Sequence, residues 1–143
     1  MCAKKAILFL CTGNSCRSQM AEGWAKHLKG SSLKAFSAGI VQHGVDPVAV
    51  KVMAEVGIDI SKQKSKLITE LQVEKFDFIV TVCDQANENC PVMPEAGKVI
   101  NNFFLDPPTL ASKKNTASEK LECYREVRDL IRDFIKNLPE NLL

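Results

Sequence analysis

The fold of this 143-residue chain is decided by one stretch, Cys11-Thr12-Gly13-Asn14-Ser15-Cys16-Arg17-Ser18. Five apolar residues, 6–10, precede it, and apolar residues with helical spacing follow it. This pattern predicts a buried strand, a tight loop and a helix that begins near Arg17. A loop that enters a helix N-terminus points several backbone N–H groups at one place, so residues 12–18 are expected to bind a tetrahedral oxyanion.

Cys11 and Arg17 bracket this loop, with five residues between them. At such a place a thiol has a lowered pKa and reacts as a thiolate, and the Ser18 hydroxyl could donate to it. Arg17 can hold two oxygens of the anion at once. A bare C-x5-R pattern is common by chance. Its position between a strand and a helix favours attack on a bound phosphate-like oxyanion over a structural cysteine.

Length and composition predict one domain over residues 1–143. The chain is 45% hydrophobic and 25% charged with a formal net charge of +2, and it contains no basic tract that would indicate nucleic-acid binding. No apolar run is long enough for a membrane span, and no signal peptide is evident, so we expect a cytoplasmic protein. In a reducing compartment, its six cysteines indicate catalysis or metal binding rather than structural disulfides.

Strands are predicted at residues 6–10, 34–37, 77–82 and 99–105, with a long loop over 83–97. Helices are predicted at 17–29, 47–56 and 116–137, with a short one over 67–73. Alternating strands and helices indicate an α/β fold, a three-layer arrangement in which helices flank a four-stranded parallel sheet. With strand order 2-1-3-4, Cys11, Cys83 and Asp106 all follow the carboxyl ends of strands, so we expect them at one edge of the sheet.

Cys83 and Cys90 lie in a polar loop, separated by six residues. A thiol beside the anion site can attack sulfur on Cys11, and a second thiol can resolve the resulting disulfide. A phosphatase needs neither thiol, because water completes its cycle. A two-electron reduction of the bound oxyanion needs both. Arsenate, which is nearly isosteric with phosphate, can be reduced in this way and phosphate cannot.

The loop at 11–18 resembles the signature loop of low-molecular-weight protein tyrosine phosphatases and of related arsenate reductases. Four further stretches extend the resemblance to the thioredoxin-coupled arsenate reductases: SAGI at 37–40, HGVDP at 43–47, GIDIS at 57–61 and VTVCDQANENCP at 80–91, together with the pair Asp106-Pro107. This resemblance implies arsenic detoxification. Its expected partners are arsenate, with phosphate or sulfate as analogues, and thioredoxin. We expect a monomer without a cofactor.

The resemblance also implies the residue roles. Cys11 attacks arsenic while Arg17 and the loop hold the oxygens, and Asp106 acts as the general acid. Cys83 then attacks Cys11, arsenite leaves, and Cys90 attacks Cys83 to form a disulfide that thioredoxin reduces. Cys16 is expected to be structural.

Two departures from the family pattern bear on function. Some members hold potassium behind the loop, using the equivalents of Asn14, Glu22 and Ser37 and an aspartate, but this chain has Lys66 where the aspartate would fall. We expect the Lys66 ammonium to pair with Glu22, and hence no metal requirement. Pro108 stands where phosphatases of this class carry an aromatic residue, which disfavours tyrosine phosphatase as the main activity.

Two rival functions remain. A low-molecular-weight tyrosine phosphatase would use Cys11, Arg17 and Asp106 equally well but leaves the second cysteine pair unexplained. A four-cysteine metal site would use Cys11, Cys16, Cys83 and Cys90, although their spacings of four and six residues are longer than those of structural zinc sites. For the reductase, the electron donor stays open between thioredoxin and glutaredoxin with glutathione.

Overall fold

The computed structural model describes residues 4–71, 75–82 and 95–142. Four parallel strands form one sheet: β1 (Lys5–Cys11), β2 (Leu33–Gly39), β3 (Lys75–Thr81) and β4 (Glu95–Asn101). The helices are α1 (Arg17–Lys29), α2 (Pro47–Glu55), α3 (Pro107–Ala111) and α4 (Ala117–Lys136). Single 3₁₀ turns occur at Ile68–Glu70 and Glu140–Leu142. The order β2-β1-β3-β4 confirms the predicted topology.

The central strand β1 is buried on both faces, because residues 7–10 are apolar without interruption and fully enclosed. On one face the sheet packs against α1, α2 and α4, where the larger part of the core lies. On the other face Leu8 and Leu10 pack with Phe76 and Ile79, and Ile68 and Leu71 cover them. None of the described helices is long and apolar enough to cross a membrane.

The fourth strand was predicted four residues too late in the sequence. β4 ends at Asn101, and the predicted strand residues Phe103 and Leu105 lie beyond it with 53% and 58% of their surface exposed. β4 is an edge strand whose Val99 is itself half exposed, so its own apolar pattern is weak. β4 begins at Glu95, within the range 83–97 that was predicted as a loop, and the predicted residues Cys83 and Cys90 lie outside the described residues.

Two helix predictions also need correction. The helix predicted over 67–73 is a single 3₁₀ turn at Ile68–Glu70 among the described residues of that segment. The short helix α3 is not among the predicted elements, because the two prolines after Asp106 also suit the end of the strand predicted at 99–105. Proline at the first helical position lacks an N–H that would be unsatisfied there in any case, so the same residues can begin a helix.

Candidate active site

The loop between β1 and α1 wraps a cavity of about 390 Å³ at the carboxyl edge of the sheet. Asn14 adopts a left-handed conformation with φ +50°, which asparagine tolerates better than most residues. The cavity is lined by the loop and by two segments remote in sequence: Cys11, Thr12, Gly13, Ser15, Cys16, Arg17, His43, Asp106 and Pro108. The tertiary fold therefore brings Asp106 to the predicted loop.

Cys11 is buried at the end of β1, and its Sγ lies 3.0 Å from Ser18 Oγ. Asn14 Nδ2 donates to the same Ser18 Oγ at 2.9 Å. With that oxygen accepting from Asn14, the Ser18 O–H is oriented to donate to Cys11 whenever the sulfur is a thiolate. A hydrogen bond to the ionised form stabilises it, so this pair favours a nucleophilic Cys11.

The Asn14 side chain is fully buried and held by other parts of the chain. Its Oδ1 accepts from the Lys66 backbone N–H at 2.7 Å and from Gln19 Nε2 at 2.9 Å. Gln19 also donates to the Lys64 carbonyl at 3.0 Å. These bonds fix the orientation of the amide, so its Nδ2 points to Ser18. The segment around residues 64–66 therefore supports the loop from behind.

Arg17 is tied to the segment that carries Asp106. Its Nη1 donates to the Phe104 carbonyl at 2.9 Å, and its Nη2 lies 3.4 Å from Asp106 Oδ1. The other oxygen, Asp106 Oδ2, accepts from Thr109 Oγ1 at 2.7 Å, within the first turn of α3. The Asp106 side chain is 36% exposed and faces the same cavity as Cys11. A thiol, a guanidinium and a carboxyl group thus share one cavity.

The thiol of Cys16 is buried and has a raised pKa, which makes it a poor nucleophile. Burial raises the pKa of its thiol well above the usual value, and the nearby carboxylates of Asp46 and Asp106 raise it further, while Arg17 lowers it. The thiol therefore stays protonated near neutral pH. The structural role expected for Cys16 requires such an unreactive thiol, and that role stays a prediction.

Asp46, Tyr124 and His43 support the loop but were not predicted as parts of the site. The Asp46 backbone N–H donates to the Ser15 carbonyl at 2.9 Å, and Tyr124 Oη donates to Asp46 Oδ2 at 2.7 Å. Burial and this hydrogen bond raise the pKa of Tyr124 well above its usual value, so it remains a neutral donor. His43 packs on Gly13, where a Cβ would lie 2.5 Å from His43 Nδ1. Asp46 could be predicted only as the cap of α2.

The residues behind the loop do not suit a potassium ion. Glu22 is 4% exposed and already has three partners: Ser37 Oγ donates to it, Lys26 Nζ lies 2.5 Å from its Oε2, and Lys66 Nζ lies 3.6 Å from its Oε1. The oxygen of Asn14 is occupied by N–H donors. The ion pair between Lys66 and Glu22 is thus present, and it places a positive charge where a cation would have to bind.

Within residues 4–71, 75–82 and 95–142, no three His, Cys, Asp or Glu side chains are close enough together to hold a metal ion. The rival four-cysteine site needs Cys83 and Cys90, which lie outside those ranges.

The proteins that are similar to this chain in sequence and in fold belong to one family. A family model described as low molecular weight phosphotyrosine protein phosphatase matches residues 6–143. A protein of Halalkalibacterium halodurans named arsenate reductase is 48% identical over 137 residues, covering 96% of both chains. Another from Bacillus subtilis is 48% identical over 136 residues, covering 95% of this chain and 96% of that one. A solved structure described as an arsenate reductase in the phosphate binding state superposes with a TM-score of 0.76, at 33% identity over 97% of this chain and 99% of that one.

Proposed function

Since the chain belongs to the low molecular weight phosphotyrosine protein phosphatase family, we propose that it is an arsenate reductase with a thiol relay regenerated by thioredoxin. The observation that carries the proposal is the single cavity shared by Cys11, Arg17 and Asp106, in a chain 48% identical to proteins named arsenate reductase. Under this proposal it is a cytoplasmic monomer that detoxifies arsenic and needs no bound cofactor.

In the first step, arsenate binds to the backbone N–H groups of the loop and to Arg17. The Cys11 thiolate forms a sulfur–arsenic bond, and one arsenate hydroxyl leaves as water after taking a proton from Asp106. The short contact between Ser18 and Cys11 supports this step, because it stabilises the thiolate before attack. Arsenic is still pentavalent at this stage.

The second step is the reduction. The Cys83 thiolate attacks Cys11 sulfur, the electron pair of the sulfur–arsenic bond passes to arsenic, and arsenite leaves as arsenic becomes trivalent. The Cys90 thiolate then attacks Cys83 and releases Cys11 as a thiolate. The dithiol of thioredoxin supplies the two electrons that reopen the disulfide between Cys83 and Cys90.

A reductase accounts for more of this chain than a phosphatase does. The cavity suits phosphate as well as arsenate, so a weak phosphatase activity is part of the proposal. However, Pro108 forms the cavity wall beside Asp106, and a proline offers no aromatic ring on which a phosphotyrosine could stack. The pair Cys83 and Cys90 has a use only in the reductive cycle.

The test is arsenate-dependent NADPH oxidation, with thioredoxin and its reductase compared against glutaredoxin, glutathione and glutathione reductase. We expect turnover in the thioredoxin arm. Cys83→Ser should abolish it while p-nitrophenyl phosphate hydrolysis survives, and Cys2→Ser, at the chain terminus, serves as the matched control. Turnover by Cys83→Ser at the rate of the unsubstituted protein would refute the relay, and turnover only with glutaredoxin would refute thioredoxin as donor.

A further inference from the structure

Two large apolar side chains are exposed on the segment that leads from β4 to Asp106. Phe103 and Leu105 keep 53% and 58% of their surface exposed, while Phe104 between them is buried. In an extended segment, residues two apart point to the same side. Phe103 and Leu105 therefore form one apolar projection, although the free energy of burial would favour placing such side chains in the core.

The position of this projection relates it to the proposed reaction. The backbone N–H groups of Asn102 and Phe104 donate to the carbonyls of Thr81 and Val82, both at 2.9 Å. The segment thus runs along the carboxyl end of β3. A partner protein that contacts this segment therefore lies at the carboxyl edge of the sheet, where Cys11 is also located.

Beside the projection lies a depression of about 350 Å³, which is separate from the oxyanion cavity but shares Arg17 and Asp106 with it. Leu110 contributes apolar surface to it, and Lys113 lies on its lining. Among the described residues Lys113 has no acidic partner within ion-pair distance. Phe103, Leu105, Leu110 and Lys113 are called the donor patch below.

We propose that the donor patch is the docking surface for a dithiol protein reductant whose contact face is apolar with an acidic border. The inference rests on the proposed function, which requires an electron-donor protein in every turnover. Such encounters are brief and bury little surface, so two apolar anchors are an adequate contact. The positive charge of Lys113 is complementary to an acidic border and would speed the encounter.

The patch performs no chemistry. The partner's two thiols become a disulfide as the enzyme's disulfide becomes two thiols, so electrons and protons balance between the two proteins. The patch only holds the partner at the carboxyl edge of the sheet, next to Val82, which directly precedes Cys83 in the sequence.

The test uses the full chain, with thioredoxin as the protein donor and dithiothreitol as a donor too small to need a docking surface. In the double variant Phe103→Ser/Leu105→Ser, we expect KM for thioredoxin to rise about tenfold, equivalent to about 1.4 kcal/mol. Turnover with dithiothreitol and KM for arsenate should not change. Leu130→Ser is the matched control, since Leu130 is 56% exposed on α4 and lies outside the patch.

A second variant tests the charge. Lys113→Glu should raise KM for thioredoxin at low ionic strength, and the difference from the unsubstituted protein should shrink as salt is added. An unchanged KM for thioredoxin in the double variant would overturn the proposal.

Equal losses with dithiothreitol would also overturn it, because they would show damage to the active site. If the double variant instead converted a dimer into a monomer, the patch would be a contact between copies of this chain. Absence of arsenite with either donor in the unsubstituted protein would refute the proposed function itself.

Discussion

Replacing Ser18 with alanine tests the contact on which the proposed reactivity of Cys11 depends. The variant removes the hydroxyl that lies 3.0 Å from Cys11 Sγ and leaves Asn14 Nδ2 without its 2.9 Å acceptor. A hydrogen bond to a charged group contributes about 1.5–3 kcal/mol. Because the variant lacks this stabilisation of the thiolate, the pH dependence of thiolate formation should move to higher pH.

The assay is the rate of Cys11 alkylation by iodoacetamide as a function of pH, read by peptide fragmentation so that Cys16 is distinguished. In the Ser18→Ala variant the midpoint should lie at higher pH, and the plateau rate at high pH should be unchanged or slightly increased. Arsenate turnover near neutral pH should fall about tenfold or more, because less of the enzyme carries the thiolate.

A control separates this effect from loss of stability. Ser61→Ala removes a hydroxyl that bonds to Asp59 on the surface, and it should change neither the alkylation profile nor turnover. Urea unfolding of Ser18→Ala should show a loss of about 1–3 kcal/mol from the unsatisfied Asn14 donor. If the midpoint of alkylation stayed where it is in the unsubstituted protein while stability fell, Ser18 would be a structural residue and the reasoning would be wrong.

Three further predictions concern Lys66 behind the loop, the close packing of Gly39, and the ion pair between Glu55 and Arg125. Replacing sodium with potassium at equal ionic strength should change neither the turnover nor the melting temperature of the unsubstituted protein. Lys66→Met should lower the free energy of unfolding in urea by about 1 kcal/mol, because Glu22 loses one of its partners. Gly39→Ala should weaken phosphate binding measured by calorimetry, because its Cβ would lie 2.7 Å from a backbone oxygen of the loop; unchanged affinity would contradict the close packing. The hydrogen bond from Arg125 lowers the pKa of Glu55 to about 2, so this carboxylate stabilises the fold above pH 4.5 and loses its effect as pH falls towards 2. Glu55→Gln should therefore cost about 1 kcal/mol at neutral pH, given the exposure of the pair, and progressively less as the pH falls through 2 in acid unfolding.

The local elements of the site could be predicted because their causes are local. The apolar run 6–10, the polar loop and the helical spacing of Met20 and Trp24 are each a property of adjacent residues, and the structure has β1, the loop and α1 there. The strand order also agrees, since short right-handed connections leave few arrangements for alternating strands and helices. An edge strand is less constrained, because one side of its ladder is unpaired, and β4 was placed wrongly for that reason.

The sequence by itself determined that a cysteine and an arginine bracket a tight loop between a strand and a helix N-terminus, because strand, turn and helix preferences act over a few residues. Only the tertiary structure decided what surrounds that loop. Tyr124 reaches Asp46 across 78 residues of sequence, and the Lys66 backbone fixes Asn14 across 52. Such contacts arise from how the helices pack on the sheet, and the buried polar groups then have to find partners that no local pattern specifies.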